Sequence, residues 1–229
     1  MMLKNYAKRE VTEYNCWRAL LHYVSIYFIL CPYFKIFYKA KIEGQENIPK
    51  NESFIVAANH MSYLDPVIVS MAVKRPIAYM AKKELFEKPI LKEVIDFYGA
   101  FAVSREKVEI STIKTAKAVV STKKWILAMF PQGGRETPGK ITRVNPGFAY
   151  IAKMTNAKIL PISIVGSHEY NPAPFKGNLV VKIGKPMDVP INIEETMQLW
   201  SSTVAELSGF ETELTQDIKN DNMVVAQKI

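Results

Sequence analysis

The feature that most constrains this chain is an alternation. From residue 41 onward, short apolar runs rich in β-branched residues are separated by stretches with helical spacing. Strands are expected at 41–43, 54–58, 77–81, 100–104, 125–130, 159–165 and 179–183, and helices at 66–73, 89–97, 110–122, 146–154 and 193–213. The economical fold is α/β, with a mostly buried central mixed sheet flanked by helices. Asp65-Pro66 has the form of an N-cap followed by proline at the first helical position, and Asn145-Pro146-Gly147 can start another helix. Strand ends therefore run into polar turns, the edge where open α/β sheets bind ligands.

Ahead of this pattern, the stretch from Cys16 to Tyr38 is the most apolar part of the chain, crowded with aromatic residues and flanked by lysine and arginine. His22, Pro32 and Lys35 interrupt it short of the ~20 clean residues of a spanning helix. It is expected to lie on a membrane as an interfacial helical anchor, with a buried hairpin in a soluble core as the alternative. No small-residue cleavage site follows it, which argues against a signal peptide. The expected organisation is an anchoring segment at 1–40, one domain at 41–218 and a tail at 219–229.

Thirty basic against 22 acidic residues give a formal charge of +8, which favours anionic partners. The basic residues are scattered, so nucleic acid is not expected as a partner. Cys16 and Cys31 read as small buried thiols in a reducing setting, which places the protein on the cytoplasmic face of a membrane as a monotopic or peripheral protein. His22, His60 and His168 are far apart and no cysteine pair has ligand spacing, so no metal is expected.

The turn after the run at 54–58 reads Asn59-His60-Met61-Ser62-Tyr63-Leu64-Asp65-Pro66. A histidine at a strand end can accept a proton near neutral pH. On an unbroken helix His60 and Asp65 would stand roughly 140° apart, so they meet only if a turn intervenes. In that case the carboxylate would fix the imidazole tautomer and stabilise its protonated form. In the plainer reading Asp65 caps the helix and His60 is an ordinary loop residue.

Asn59-His60 followed by Asp65-Pro66 resembles the first sequence block of the glycerolipid acyltransferases, the lysophosphatidic acid acyltransferase type. Residues 99–105 (Gly-Ala-Phe-Ala-Val-Ser-Arg) are similar to the second block, 130–135 (Phe-Pro-Gln-Gly-Gly-Arg) to the third and 159–164 (Ile-Leu-Pro-Ile-Ser-Ile) to the fourth. The resemblance implies the glycerolipid acyltransferase fold, a membrane-surface helical segment, and transfer of a fatty acyl group to the free hydroxyl of a lysophospholipid, with phosphatidic acid as the product from lysophosphatidic acid. The donor would be acyl-CoA or acyl carrier protein, a co-substrate rather than a cofactor.

It further implies His60 as general base with Asp65 as its partner, and acceptor binding by Asn59, Arg105, Gln132, Gly133, Gly134 and Arg135. Pro161 would border the acyl donor. Beside this, an arginine at a strand end such as Arg105 can grip a phosphate through two hydrogen bonds, or can simply pair with Glu106 or Glu109. Gly133 and Gly134 can turn N–H groups toward an anion or an oxyanion, or can simply make a tight turn.

The family has glutamate, then glycine-threonine or glycine-serine, where this chain has Gln132, Gly133 and Gly134. Glutamine keeps the shape, loses the charge and can still hydrogen-bond an acceptor. Glu136 offers no obvious replacement. A P-loop-like run at 134–140 has Ile141 where a metal-binding hydroxyl belongs, and no G-x-S-x-G elbow is present. The competing functions are a catalytically weak binder of anionic lipid, an acyltransferase for another lysolipid, and a lipid hydrolase.

Overall fold

The computed structural model describes residues 6–50, 52–104, 109–168 and 173–212. Arg105 and the tail expected at 219–229 lie outside them. Seven strands form one sheet in the order β1-β8-β7-β2-β5-β3-β4. They are β1 (Lys41–Glu43), β2 (Phe54–Ala58), β3 (Ile77–Lys82), β4 (Phe101–Val103), β5 (Ile126–Met129), β7 (Lys158–Val165) and β8 (Val180–Ile183). The sheet is parallel from β7 across to β4, and β7 pairs with β8 antiparallel, so the sheet is mixed as expected.

The alternation of side chains along each strand divides the core in two. Phe54, Val56 and Ala58 of β2, with Leu160, Ile162 and Ile164 of β7, face a layer covered by α2 (Cys31–Tyr38) and α3 (Asp65–Val73). Ile55, Ala57 and Ile159 face the other layer, closed by α5 (Ile110–Ser121), α6 (Gly147–Thr155) and α7 (Ile193–Ser208). A sheet covered on both faces needs strands apolar throughout, as β2 is: all five of its residues are buried.

Three expectations need correction. The helix expected at 193–213 stops at Ser208, because Gly209 takes a left-handed φ of 74° and ends it, after which β9 (Glu211–Thr212) pairs with β6 (Lys140–Ile141). Lys140 thus begins a strand, and the P-loop-like run has no helix to follow it.

Secondly, the interruptions at residues 22, 32 and 35 do not break the N-terminal helix. It runs from Cys16 to Tyr38, long and apolar enough by length and composition to cross a membrane. Pro32 has no N–H to donate, and the turn before it, Ile26–Leu30, widens to π geometry, with the Cys31 amide reaching back to Ile26. Helix α1 (Cys16–Ser25), this turn and α2 are continuous.

Thirdly, Cys16 is exposed at the helix start rather than buried. The segment ahead of it is knitted into the domain: buried Arg9 binds the Asp96 carboxylate at 2.6 Å and the Ala100 carbonyl at 2.7 and 2.9 Å.

The N-terminal helix has two apolar faces. Ala19, His22, Ile26, Phe34 and Tyr38 are buried against the domain along the whole length of the helix. Trp17, Leu20, Val24, Tyr27, Phe28 and Ile29 point outward, with Trp17 72% and Phe28 77% exposed. Alongside, α4 (Pro89–Phe97) exposes Ile90, Val94 and Phe97 at one-turn spacing, and the Asp96 carbonyl at its end accepts from Arg18 of α1.

Candidate active site

Strands β2 and β5 pair in parallel with Ala57 opposite Met129, so the loops that leave them, at 59–64 and 130–139, emerge side by side from one sheet edge. The first of these carries His60. Asp65, at the head of α3, is fully buried, and its Oδ2 takes three donors at 2.7 Å: Nδ1 of His60 and the backbone amides of Met61 and Ser62. The carboxylate therefore looks back over the loop and does not cap α3. A carboxylate accepts only, so Nδ1 is the donor and the lone pair lies on Nε2.

The plane of the imidazole is set by stacking. The His60 ring lies on Phe130 at 4.1 Å between centroids and 19° between planes, and Tyr79 stacks behind Phe130. Tyr79 donates its hydroxyl to the Pro66 carbonyl at 2.6 Å, and burial pushes this phenol well above its ordinary pKa, so it stays protonated and holds the start of α3.

The second loop holds the first by its backbone. The His60 amide donates to Oε1 of Gln132 at 2.6 Å, the Glu136 amide donates to the His60 carbonyl at 2.9 Å, and Nε2 of Gln132 donates to Oε2 of Glu136 at 2.7 Å. Gln132, 2% exposed and engaged at both ends of its amide, thus grips the loop instead of facing an acceptor. Arg135 sits on the outer side. Its guanidinium lies over the Tyr63 ring at 3.7 Å and bonds the Tyr63 hydroxyl at 2.9 Å, so both residues overhang the His60 loop.

Other expected site residues stand elsewhere. The buried Asn59 side chain donates to the Ile164 carbonyl at 2.9 Å and accepts from the Ile164 amide at 2.7 Å. It extends the β2–β7 ladder by one side chain, with both ends of its amide engaged by the Ile164 backbone. Gly133 takes a φ of 69° that favours glycine, but its amide is spent on the Phe130 carbonyl, and a Cβ there would meet Asn145 at 2.4 Å. Among the described residues, the amides of Gly134 and Arg135 donate to none. Pro161 lies buried within β7, paired with Ala57.

Sequence reasoning passed over Phe130 and Tyr63, and set Glu136 aside as no replacement for the missing charge. Phe130 stood in plain view as the first residue of the third block, and the i to i+4 spacing of Gln132 and Glu136 was the available hint of their contact.

The acyltransferase family profile matches residues 39–165, more than half of the chain. The chain is 32% identical over 152 residues to a 1-acyl-sn-glycerol-3-phosphate acyltransferase of Streptococcus pneumoniae, covering 66% of this chain but 56% of that protein. It is 26% identical over 187 residues to the enzyme so named in Borreliella burgdorferi, covering 81% of this chain and 70% of the relative. The crystal structure of the 1-acyl-sn-glycerophosphate acyltransferase PlsC from Thermotoga maritima superposes with a TM-score of 0.68 at 26% identity, covering 82% of this chain and 78% of that one. The matched region contains β2, β5, β7 and both loops of the His60 site, and on these grounds the chain belongs to the acyltransferase family.

Proposed function

We propose that this protein transfers a fatty acyl group from a thioester, acyl-CoA or acyl carrier protein, to the free hydroxyl of 1-acylglycerol-3-phosphate, forming phosphatidic acid at a membrane surface. The observation that carries the reading is the His60–Asp65 pair, with Nδ1 committed to a buried carboxylate and Nε2 left to act. Nε2 takes the proton of the acceptor hydroxyl as its oxygen attacks the thioester carbon. The carbon–sulfur bond then breaks, and the departing thiolate recovers the proton from the imidazolium, so no acyl-enzyme forms. The Gly134 and Arg135 amides are the donors left for the oxyanion, a role that Gly133 cannot take.

Arg135 supplies the charge for the acceptor phosphate, held over the loop by Tyr63. The N-terminal helix is tied to the domain through Ala19, His22 and Ile26 in its first half and Phe34 and Tyr38 in its second, which favours a helix that rests along the bilayer with the domain over one that crosses it. It lies instead on the cytoplasmic leaflet with Trp17, Phe28 and Ile29 toward the lipid, and the exposed stripe of α4 continues that face.

The test measures transfer from acyl-CoA and acyl carrier protein to lysophosphatidic acid and other lysolipids by purified protein in detergent. His60→Ala should lose about 10²-fold or more in kcat while the protein still folds. Near-normal turnover in that variant removes His60 as the base. Free fatty acid without esterified product makes the protein a hydrolase, and no turnover of any donor makes it a lipid-binding relative.

A further inference from the structure

The two residues that clasp the His60 backbone are also bonded to each other, and that bond has a direction. Oε1 of Gln132 accepts from the His60 amide, which leaves only Nε2 to face Glu136. Oε2 of Glu136 accepts there at 2.7 Å and takes the Thr142 amide at 3.2 Å, while the Glu136 backbone binds the His60 carbonyl. An amide accepts on one side and donates on the other without needing a titratable proton to do so. A glutamate at 132, as in the family pattern, would accept from His60 equally well but would bring a second carboxylate to hydrogen-bonding distance of Glu136.

We propose that Gln132 and Glu136 form a charge-ordered positioning pair, in which the negative charge is carried at 136 instead of 132 and the pair holds His60 in place from both sides of its peptide backbone. This rests on the reading of His60 as the base. Neither side chain touches the reacting atoms. Each acts through the His60 backbone, and the pair tolerates one negative charge but not two.

The other ionisable groups around it are His60 on the first loop and, through it, Asp65 at the head of α3, with Arg135 on the second loop and Arg143 just after β6, whose guanidinium groups engage Tyr63 and Asn145. Two carboxylates at the 132–136 contact must share a proton, and losing it at higher pH forces them apart.

The experiment is a charge swap. Q132E should lower kcat about tenfold or more at pH 8, the scale on which displacing a base by a fraction of an ångström acts. The ratio of its kcat to that of the unsubstituted protein should fall as pH rises. Q132E/E136Q restores the bond between the two side chains with its direction reversed and the charge moved to 132, giving up only the longer 3.2 Å bond from the Thr142 amide, and should return to within about threefold with the pH-dependent loss gone.

Thermal midpoints of the same proteins across pH give a second readout that needs no activity: the deficit of Q132E should widen with pH, and in the double variant it should shrink and no longer depend on pH. A Q132E protein indistinguishable from the parent in both readouts overturns the proposal, as does a double variant no better than Q132E. If Q132E fails to fold, recovery of folded protein in the double variant decides in the same sense. If the unsubstituted protein transfers no acyl group, the functional reading fails and the thermal comparison alone judges the pair.

Discussion

Two histidines in this molecule occupy regions built on opposite principles. His22 is sealed between α1 and the domain: its Nε2 meets the Tyr98 carbonyl at 3.0 Å, its ring stands edge-on to Tyr98 and Trp125, and burial pulls its pKa down to about 4. His60 stands at a sheet edge, face-on to Phe130, with a carboxylate on one nitrogen and the other free to act. Burial among apolar walls disfavours the imidazolium even though the Tyr98 carbonyl accepts from it, whereas a buried carboxylate stabilises it when it forms. A base that must take up and release a proton needs the second environment, and a packing residue is better served by the first.

The sharpest way to break this comparison is to make the partner of His60 resemble that of His22. Asp65→Asn replaces the anion by a neutral amide and can present N–H groups to Nδ1, reversing the tautomer. Turnover should fall about 10³–10⁴-fold, as at other histidine–carboxylate pairs. Because Oδ2 also holds the Met61 and Ser62 amides, stability should fall as well, by about 1–3 kcal/mol in denaturant titration. A variant with normal turnover would show that the carboxylate only shapes the loop.

A smaller effect is expected at the rim. Arg135→Ala should raise KM for a phosphorylated acceptor about tenfold to a hundredfold, while changing kcat little. Arg135→Lys should recover part of the loss, since a point charge replaces the planar fork. An acceptor lacking the phosphate should be indifferent to both changes, and equal losses on it would move the phosphate contact elsewhere.

What could be read in advance divides along the same line as the two histidines. Strand β2 was legible because five apolar residues in a row admit few placements, and the His60–Asp65 contact because a proline-marked helix start fits the turn that brings the two together. The uses of individual polar groups were not legible. Asn59 spends both ends of its amide on Ile164, and Gly133 spends its N–H on Phe130, commitments made by the pairing of β2 with β7 and by the turn after β5. The continuity of α1 with α2 depended on a π turn that absorbs Pro32, and β6 and β9 are two-residue strands that exist only through pairing with each other.

The smallest effect on turnover belongs to His22, and its signature lies in stability against pH. Its pKa is depressed in the fold, to about 4 from the ordinary 6.5, so below 6.5 the unfolded chain binds a proton that the folded chain refuses. The contribution of His22 is therefore complete above pH 6.5, is lost as pH falls toward 4, and changes no further below that, with a total on the order of 3 kcal/mol.

His22→Phe keeps an aromatic ring beside Tyr98 and Trp125 but gives up the bond to the Tyr98 carbonyl. It should be less stable than the parent by about 1 kcal/mol at pH 7.5 and should gain on it as pH falls. The two stability curves should approach or cross between pH 6.5 and 4, with kcat of the folded protein unchanged. Parallel curves would mean that His22 accepts its proton without opening the helix seam, and the contrast with His60 would then rest on the carboxylate alone.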